Sequence, residues 1–172
     1  MLISMQPVSV ENQTIGARED ERWMCVALAA ANEARERDEV PIGACVVTED
    51  GDLLAAAGNR TRTDCDPTAH AEIIALREAA RRVGNYRLTN AIVYSTIEPC
   101  AMCAGALVQA RIKRLVYGAR DERFGAVITK FQLCDNSSLN HQIEITEGVL
   151  ETECKATIQE FFKARRKEKD KG

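Results

Sequence analysis

The sequence has 172 residues, of which 45% are hydrophobic and 28% charged, and its net charge at pH 7 is −3. These values are close to those of ordinary globular proteins, and the chain is long enough for one hydrophobic core. The slightly negative charge argues against a protein that coats nucleic acid through bulk positive charge.

The N-terminus and the cysteines bear on the cellular compartment. Residues 1–5 lack the basic segment and long apolar stretch of a secretory signal, and no stretch of the sequence predicts a membrane span. Seven cysteines, an odd number, fit a reducing compartment better than a disulfide framework. We expect a cytoplasmic protein without a membrane partner, with residues 1–18 as a flexible extension and residues 19–169 as a single domain.

The first third of the chain predicts a helix followed by a hairpin. Apolar side chains recur at helical spacing over residues 19–37, with charged residues between them. Residues 42–48 form an apolar run, and residues 53–57 continue it after a turn of acidic residues and glycine. We therefore expect a helix that covers two paired strands.

The next segment predicts a helix with a histidine and an acid near its start. Asp66-Pro67-Thr68 has the composition of a helix start, and Gly84 that of a helix stop. This interpretation places His70 and Glu72 in the first turns of the helix.

A strand, a helix and a second strand follow. Residues 91–97 and 114–117 predict strands, and residues 100–110 predict the helix between them. Such an order is typical of a parallel crossover. Cys100 and Cys103 then lie on one face of the helix near its positive end, which favours the thiolate form.

The C-terminal part predicts a short strand and a basic amphipathic helix. Residues 143–146 alternate as a strand does, and residues 149–169 have apolar side chains at helical spacing. Residues 163–171 include six basic and two acidic residues, a local charge of +4. This tail could bind phosphates, or it could be a solvated helix end whose cations suit the helix dipole, and composition leaves both open.

Three side chains have the pattern of a catalytic zinc site. His70, Cys100 and Cys103 supply three ligands, whereas a structural zinc is closed by four. One imidazole and two thiolates would neutralise the ion, and the open position would take a water whose pKa falls toward 7. Glu72 is not counted as a ligand and can move protons. We expect one Zn²⁺ per chain.

The spacing of Cys100 and Cys103 also fits a redox pair or half of a structural zinc site. A fourth ligand would have to come from His141 or another cysteine, and the other cysteines form no second close pair. His141 precedes an alternating segment, so we expect it in a loop and not among the ligands.

Six motifs stand out along residues 20–169. They are residues 40–44 (VPIGA), 66–72 (DPTAHAE), 98–106 (EPCAMCAGA), 117–121 (YGARD), 140–145 (NHQIEI) and 161–166 (FFKARR). With the first three the chain resembles the cytidine deaminase superfamily, whose zinc motif the H-x-E and P-C-x-x-C patterns match. With the last three it resembles the bacterial tRNA-specific adenosine deaminases.

This resemblance implies an α/β fold, a three-layer α/β/α sandwich around a five-stranded mixed sheet. It implies a homodimer that binds tRNA and converts the wobble adenosine, position 34 of the anticodon, to inosine. At the matching positions, the zinc ligands are His70, Cys100 and Cys103, and the catalytic proton shuttle is Glu72.

The resemblance also implies residues that bind the substrate. Asn59 matches an asparagine that reads the flipped base, and Asp121 matches a loop acid that contacts the flanking nucleotide and its ribose. Phe162, Arg165 and Arg166 fall where the C-terminal helix meets the anticodon loop.

Two segments depart from the pattern of the family. Residues 126–133 replace a stretch of small residues, and Ala57-Gly58 stands where a bulky aromatic is often found.

Two rival functions share the metal motif. A free nucleobase or nucleoside deaminase, of the guanine or cytidine type, would not need the basic tail, and a zinc-stabilised binding module would not need Glu72.

Overall fold

The structure is a computed structural model that describes residues 10–169, with side chains described for residues 16–168. These residues form four helices and five strands. In chain order they are α1 (Val10–Glu36), β1 (Gly43–Thr48), β2 (Leu53–Gly58), α2 (Ala71–Val83), β3 (Ala91–Ile97), α3 (Ala101–Ala110), β4 (Arg114–Ala119), β5 (Glu144–Glu147) and α4 (Glu151–Lys169). Across this described range, no helix is both long and apolar enough to cross a membrane.

The five strands form one mixed sheet in the order β2-β1-β3-β4-β5. β1 pairs antiparallel with β2 and with β3, whereas β3, β4 and β5 run parallel to one another. α3 makes the crossover between the parallel strands β3 and β4, as such a connection requires. The five-stranded mixed sheet expected from the resemblance is confirmed.

Helices cover both faces of the sheet. Because side chains alternate along a strand, Cys45 and Val47 of β1 join a core with α1 and α4, and Val46 joins the opposite core with α2 and α3. The three-layer α/β/α sandwich is therefore also confirmed. The second of these cores lies directly beneath the N-termini of α2 and α3.

α1 lies unusually close to the sheet because small residues face each other. A side-chain carbon on Gly43 would collide with the carbonyl oxygen of Ala27, and one on Gly58 would collide with that of Ala30. The absence of a side chain at both glycines lets the helix backbone approach the strands. α1 therefore packs directly on the backbone of β1 and β2.

Two helix starts differ from the predicted ones, while the other boundaries agree within two residues. α1 begins at Val10 and not near residue 19, so residues 10–18 of the predicted extension belong to this helix. Residues 1–9 lie outside the described part of the chain.

α2 begins at Ala71 and not at Asp66. The Asp66 carboxylate accepts hydrogen bonds from the backbone N–H and the hydroxyl of Thr68, both at 2.7 Å. This side-chain bond closes a turn, which competes with the helix, so the chain turns once more before α2 starts. His70 therefore lies at the capping position of α2 and not in its first turn.

Candidate zinc centre and its surroundings

The N-termini of α2 and α3 bring the candidate ligands together. His70 caps α2 and Cys100 caps α3, both with extended backbone (φ −75°, ψ 151° and φ −71°, ψ 173°). Glu72 and Cys103 follow within the first turn of their helices. The positive ends of two helices therefore point at one place, which favours thiolates there.

The distances among the three donors suit a zinc ion. His70 Nδ1 lies 3.6 Å from Cys100 Sγ and 3.5 Å from Cys103 Sγ, and all three donor atoms lie within 4.8 Å of one another. A tetrahedral centre with ordinary Zn–N and Zn–S bonds separates such donors by about 3.6 Å. The set fits one zinc ion per chain, as the sequence predicted.

The two cysteines have opposite pKa shifts. Hydrogen bonds from Cys103 and from His70 lower the pKa of the Cys100 thiol, which favours its thiolate form. The hydrogen bond to Cys100, together with burial, raises the pKa of Cys103. Metal binding at this set would therefore release the Cys103 proton.

Glu72 is buried against the candidate ligands. Its side chain is only 3% exposed, its Oε2 accepts a hydrogen bond from Cys103 Sγ at 3.5 Å, and its Oε1 accepts one from Ser95 Oγ at 3.4 Å. Burial raises the pKa of Glu72 above that of an exposed glutamate, which suits a group that both takes and gives a proton. Its place beside the donors fits the predicted proton shuttle.

Asn59 lies at the same site and supports the start of α2. Its Oδ1 accepts a hydrogen bond from the backbone N–H of Ala71 at 2.9 Å, and the side chain is buried. The next residue, Arg60, donates its backbone N–H to Ala69 at 2.9 Å. The structure therefore brings Asn59 next to His70, with its amide oxygen engaged.

Asp121 lies in the turn that follows β4. Its Oδ1 accepts the backbone N–H groups of Arg123 at 2.8 Å and Phe124 at 3.2 Å. The same turn brings Gly125 into an antiparallel bridge with Cys100. Asp121 thus shapes a wall of the candidate site with one of its two carboxylate oxygens.

Glu98 organises this wall, and the sequence analysis assigned it no role. Its carboxylate is buried and accepts one hydroxyl and four backbone N–H groups. These come from Thr129 Oγ1 and from the N–H groups of Asp121, Val127, Ile128 and Thr129, the N–H bonds measuring 2.8–3.2 Å. Burial alone would raise the pKa of Glu98, but these hydrogen bonds lower it. In the sequence, the one feature that pointed to Glu98 was its place directly between an apolar strand and Pro99-Cys100.

Glu39 is a second buried carboxylate that the sequence analysis did not identify. It is fully buried and accepts hydrogen bonds from Thr61 Oγ1 (3.2 Å), the N–H of Arg62 (2.9 Å), and the N–H and hydroxyl of Thr63 (2.7 and 2.9 Å). Glu39 therefore holds the loop that leads from Asn59 to the candidate ligands. Glu39 could not be identified from the sequence, because it ends a run of charged residues that is typical of an exposed helix end.

The aromatic pair in the C-terminal helix divides between core and surface, as adjacent helical residues must. Phe161 is buried, whereas Phe162 is 43% exposed. The α4 helix that carries them packs on β3 and β4 with α1, on the face of the sheet opposite α2 and α3. Phe162 is therefore not among the residues that surround the zinc donors.

The two arginines of the tail have different surroundings. Arg165 Nη2 donates to Asp38 Oδ1 at 2.6 Å, and its guanidinium lies 5.3 Å from the centre of the Phe161 ring. Asp38 also forms an ion pair with Arg62 of the loop that Glu39 holds. Arg166 is exposed. The structure thus distinguishes two residues that the sequence analysis treated alike.

His141 is half-buried in the loop before β5, as predicted, and its Nε2 lies 2.7 Å from the carbonyl oxygen of Ile112. In the part of the chain that the structure describes, it does not join the His70, Cys100 and Cys103 group. All seven cysteines are free.

Comparison with known proteins agrees with this site. The chain matches the model of the cytidine and deoxycytidylate deaminase zinc-binding region over residues 17–119. It is 46% identical to the tRNA-specific adenosine deaminase of Haemophilus influenzae over 150 residues, 87% of each chain. It is 42% identical to that of Bacillus subtilis over 151 residues, 88% of this chain and 93% of the relative.

A solved structure leads to the same family. It comes from biochemical and structural studies of A-to-I editing by tRNA:A34 deaminases at the wobble position of transfer RNA. The match has a TM-score of 0.76 and 45% identity, and covers 79% of this chain and 98% of that one. The resemblance noted in the sequence is confirmed: the chain belongs to the cytidine and deoxycytidylate deaminase superfamily and, within it, to the tRNA-specific adenosine deaminase family.

Proposed function

We propose that this protein is a zinc-dependent hydrolase that converts adenosine to inosine at the wobble position (34) of a tRNA anticodon. One observation carries the proposal. His70, Cys100 and Cys103 converge at zinc-ligand distances, with the buried carboxylate of Glu72 against them. The relatives, which are tRNA-specific adenosine deaminases, support the choice of substrate.

His70, Cys100 and Cys103 are the zinc ligands in this proposal. A zinc ion bound by three protein ligands lowers the pKa of water at its open position and so supplies the nucleophile for hydrolysis. Both thiolates lie at the N-terminus of α3, whose positive end stabilises their charge.

Glu72 moves the protons. Replacement of the amino group on C6 of adenine requires a proton at N1 and another on the departing amine, and both can pass through one carboxylate. Glu72 suits this task because it is buried beside the ligands, and burial raises its pKa, which favours the protonated form that a proton donor needs. The products are inosine and ammonia.

Asn59 and Asp121 position the nucleotide. The amide oxygen of Asn59 is held by Ala71, so its amide NH₂ is the part that donates to the flipped base. One oxygen of Asp121 shapes its turn, which leaves the other to accept a hydrogen bond from the flanking nucleotide or its ribose. In each of these two side chains, one polar atom holds the site in shape and the other contacts the substrate.

The tail binds the rest of the anticodon loop. Phe162 and Arg166 are exposed on α4 and contact RNA directly, whereas Arg165 shares its charge with Asp38. The adenosine has to leave its stack to reach the buried centre, and the cost of a few kcal/mol is lowest in an unpaired loop. Phosphate contacts along the tail help to offset that cost.

We also propose that the enzyme acts in the cytoplasm as a homodimer. Seven free cysteines suit a reducing compartment. The resemblance to the tRNA-specific adenosine deaminases supports the homodimer, whose interface would cover Phe131 and Leu139, 62% and 40% exposed between β4 and β5, if they lie in it. Sedimentation of the purified protein tests the dimer directly.

An editing assay tests the activity. The zinc-loaded protein is incubated with an unmodified tRNA that carries a wobble adenosine, and inosine is measured at that position. Wild type should form inosine, and Glu72→Gln should form it at least about a hundredfold more slowly. Parallel assays on guanine, cytidine and free adenosine distinguish the rival: turnover of one of these with no inosine in tRNA would identify a free-base or nucleoside deaminase.

A further inference from the structure

An aromatic ring projects into solvent beside the candidate zinc centre. Phe124 is 66% exposed, whereas the three residues after it are buried. The first of these, Gly125, forms the antiparallel bridge with Cys100. Since bridged Cα atoms lie about 5 Å apart and consecutive ones about 4 Å, the Cα of Phe124 lies within about 10 Å of that of Cys100.

The turn that carries this ring is held from several sides. The Phe124 N–H donates to Asp121 Oδ1 at 3.2 Å, and the Gly125 N–H donates to the Asp121 carbonyl oxygen at 2.9 Å. The Ala126 N–H donates to the Pro99 carbonyl oxygen at 2.9 Å. A side chain on Gly125 would collide with Glu98, so the backbone is packed tightly here. Phe124 is therefore an exposed ring on a fixed base.

The chemistry of the proposed function supplies a ligand for such a ring. When the target adenosine leaves the stack, the base next to it loses a stacking partner. An aromatic side chain can take that place for any base, because every base has a π-face. We infer that Phe124 stacks on the nucleobase adjacent to the target adenosine, an assignment that rests on the proposed function. Arg123, exposed beside it, is placed to meet the adjoining phosphate.

Exposure of an aromatic ring alone would not support this inference, because single exposed apolar residues are common. Tyr86 is 70% exposed, but it lies in the loop between α2 and β3, and the guanidinium of Arg87 lies 5.3 Å from the centre of its ring. Phe124 differs because it directly precedes Gly125, which forms the bridge with the candidate zinc ligand Cys100. Its position beside the site is therefore fixed. Tyr86 is therefore the matched control.

The first test compares side chains at this position. The zinc-loaded enzymes carrying Phe124→Leu, Phe124→Trp and Tyr86→Leu are assayed for inosine formation in an anticodon stem-loop RNA. Leu keeps an apolar side chain without a π-face, so kcat/KM should fall by roughly 5- to 100-fold, the range of one base–aromatic stack. Trp should keep activity near that of wild type, and so should Tyr86→Leu. Zinc content should be the same in all.

The second test removes the base. RNAs with an abasic nucleotide on the 5′ or the 3′ side of the adenosine are assayed with wild type and Phe124→Leu. If Phe124 stacks on that base, the abasic RNA costs wild type about as much as Phe124→Leu does, and the two losses are not additive. The flanking position, 5′ or 3′, at which the two losses in kcat/KM are not additive is the position of the stacked base.

Three results would overturn the inference. One is equal kcat/KM for Phe124→Leu and Phe124→Trp, and another is full additivity at both flanking positions. Either would leave the proposed function intact as long as wild type forms inosine. The third is an absence of inosine in any RNA with wild type, which would overturn the proposed function as well.

Discussion

The side chain of Asn59 joins the end of β2 to the start of α2, because its Oδ1 accepts the backbone N–H of Ala71 at 2.9 Å. Ala71 lies between His70 and Glu72. One hydrogen bond thus fixes the segment that carries a candidate zinc ligand and the candidate proton shuttle. The bond uses only the oxygen of the amide, so a structural and a substrate-binding role can be separated by substitution.

Asn59→Asp keeps the acceptor and removes the NH₂ donor, whereas Asn59→Ala removes both. We expect Asn59→Ala to lose about 0.5–2 kcal/mol of unfolding free energy, as for loss of a helix-capping acceptor. Asn59→Asp should stay close to wild type in stability, because a carboxylate suits the positive end of α2, but should lose about tenfold in kcat/KM. Denaturant unfolding and inosine formation measure the two effects. Full activity in Asn59→Asp would show that the amide does not read the base.

Glu72→Gln tests the proton shuttle. Gln keeps the size and polarity of the side chain but cannot carry the proton, so the rate should fall at least about a hundredfold, the scale of one acid–base contribution. Zinc content should stay near one per chain, because Glu72 is not among the three donors. Metal analysis beside the rate measurement decides the role, and loss of zinc together with activity would make Glu72 a ligand.

The convergence of the candidate zinc donors with Glu72 could be predicted from sequence because their spacing along the chain carries the information. His70 and Glu72 are two residues apart, and Cys100 and Cys103 are three apart after Pro99, so each pair is placed by one helix start. The fold followed from the alternation of apolar runs and from the resemblance. The exact start of α2 could not be predicted, because it depends on the hydrogen bond that the Thr68 N–H donates to the Asp66 carboxylate.

Glu39 and Glu98 could not be predicted because their partners are distant in sequence. Glu98 binds N–H groups 23 to 31 residues away, and Glu39 binds the loop 22 to 24 residues away. No local pattern distinguishes a carboxylate that folds a loop around itself from an exposed one. The pairing of Arg165 with Asp38, at a separation of 127 residues, was hidden for the same reason.

Removal of one cysteine ligand should abolish the dependence of stability on zinc. Metal that binds only the folded state stabilises it by mass action, so the melting temperature of wild type should rise with free zinc. Cys100→Ala and Cys103→Ala should lose this dependence. Cys154→Ala, which removes a buried cysteine from the opposite core, should keep it. Thermal unfolding with a chelator and with added zinc measures this, and a zinc response in both ligand variants would exclude the assigned donors.

Glu39 should make the stability of the loop depend on pH. Burial acts to raise the pKa of Glu39, but hydrogen bonds from Thr63, Thr61 and Arg62 lower it below the ordinary value of 4.5. Such a group contributes stability that is complete above the unfolded-state pKa and is lost as pH falls through the folded-state pKa.

Glu39→Gln should therefore lower the free energy of unfolding by about 2 kcal/mol at neutral pH. The difference from wild type should hold down to about the ordinary glutamate pKa and shrink at lower pH. Denaturant unfolding across the pH series measures it, with Glu21→Gln, at an exposed position in the middle of α1, as a control that should show no such difference. A difference that grows toward acid pH would contradict the assignment.

The two arginines of the tail should differ in their effect on RNA binding. Each phosphate contact contributes about 0.7–0.9 to the slope of log affinity against log salt, so Arg166→Ala should flatten that slope by nearly one unit. Arg165 is already paired with Asp38, and its loss should change the slope less. Because that pair is exposed, Arg165→Ala should also cost at most about 1 kcal/mol of stability.

Asp38→Ala provides the opposite change. It releases Arg165 and Arg62 together from one carboxylate, so RNA affinity at low salt should increase and the slope should steepen. Binding of a wobble-adenosine tRNA, measured by fluorescence anisotropy over a salt series, distinguishes the three variants. Equal slopes for Arg165→Ala and Arg166→Ala would show that the ion pair with Asp38 does not persist when RNA binds. Zinc content and deamination of any free nucleoside should be unchanged in all three, because the role proposed for the tail is to position the RNA and not to take part in the chemistry.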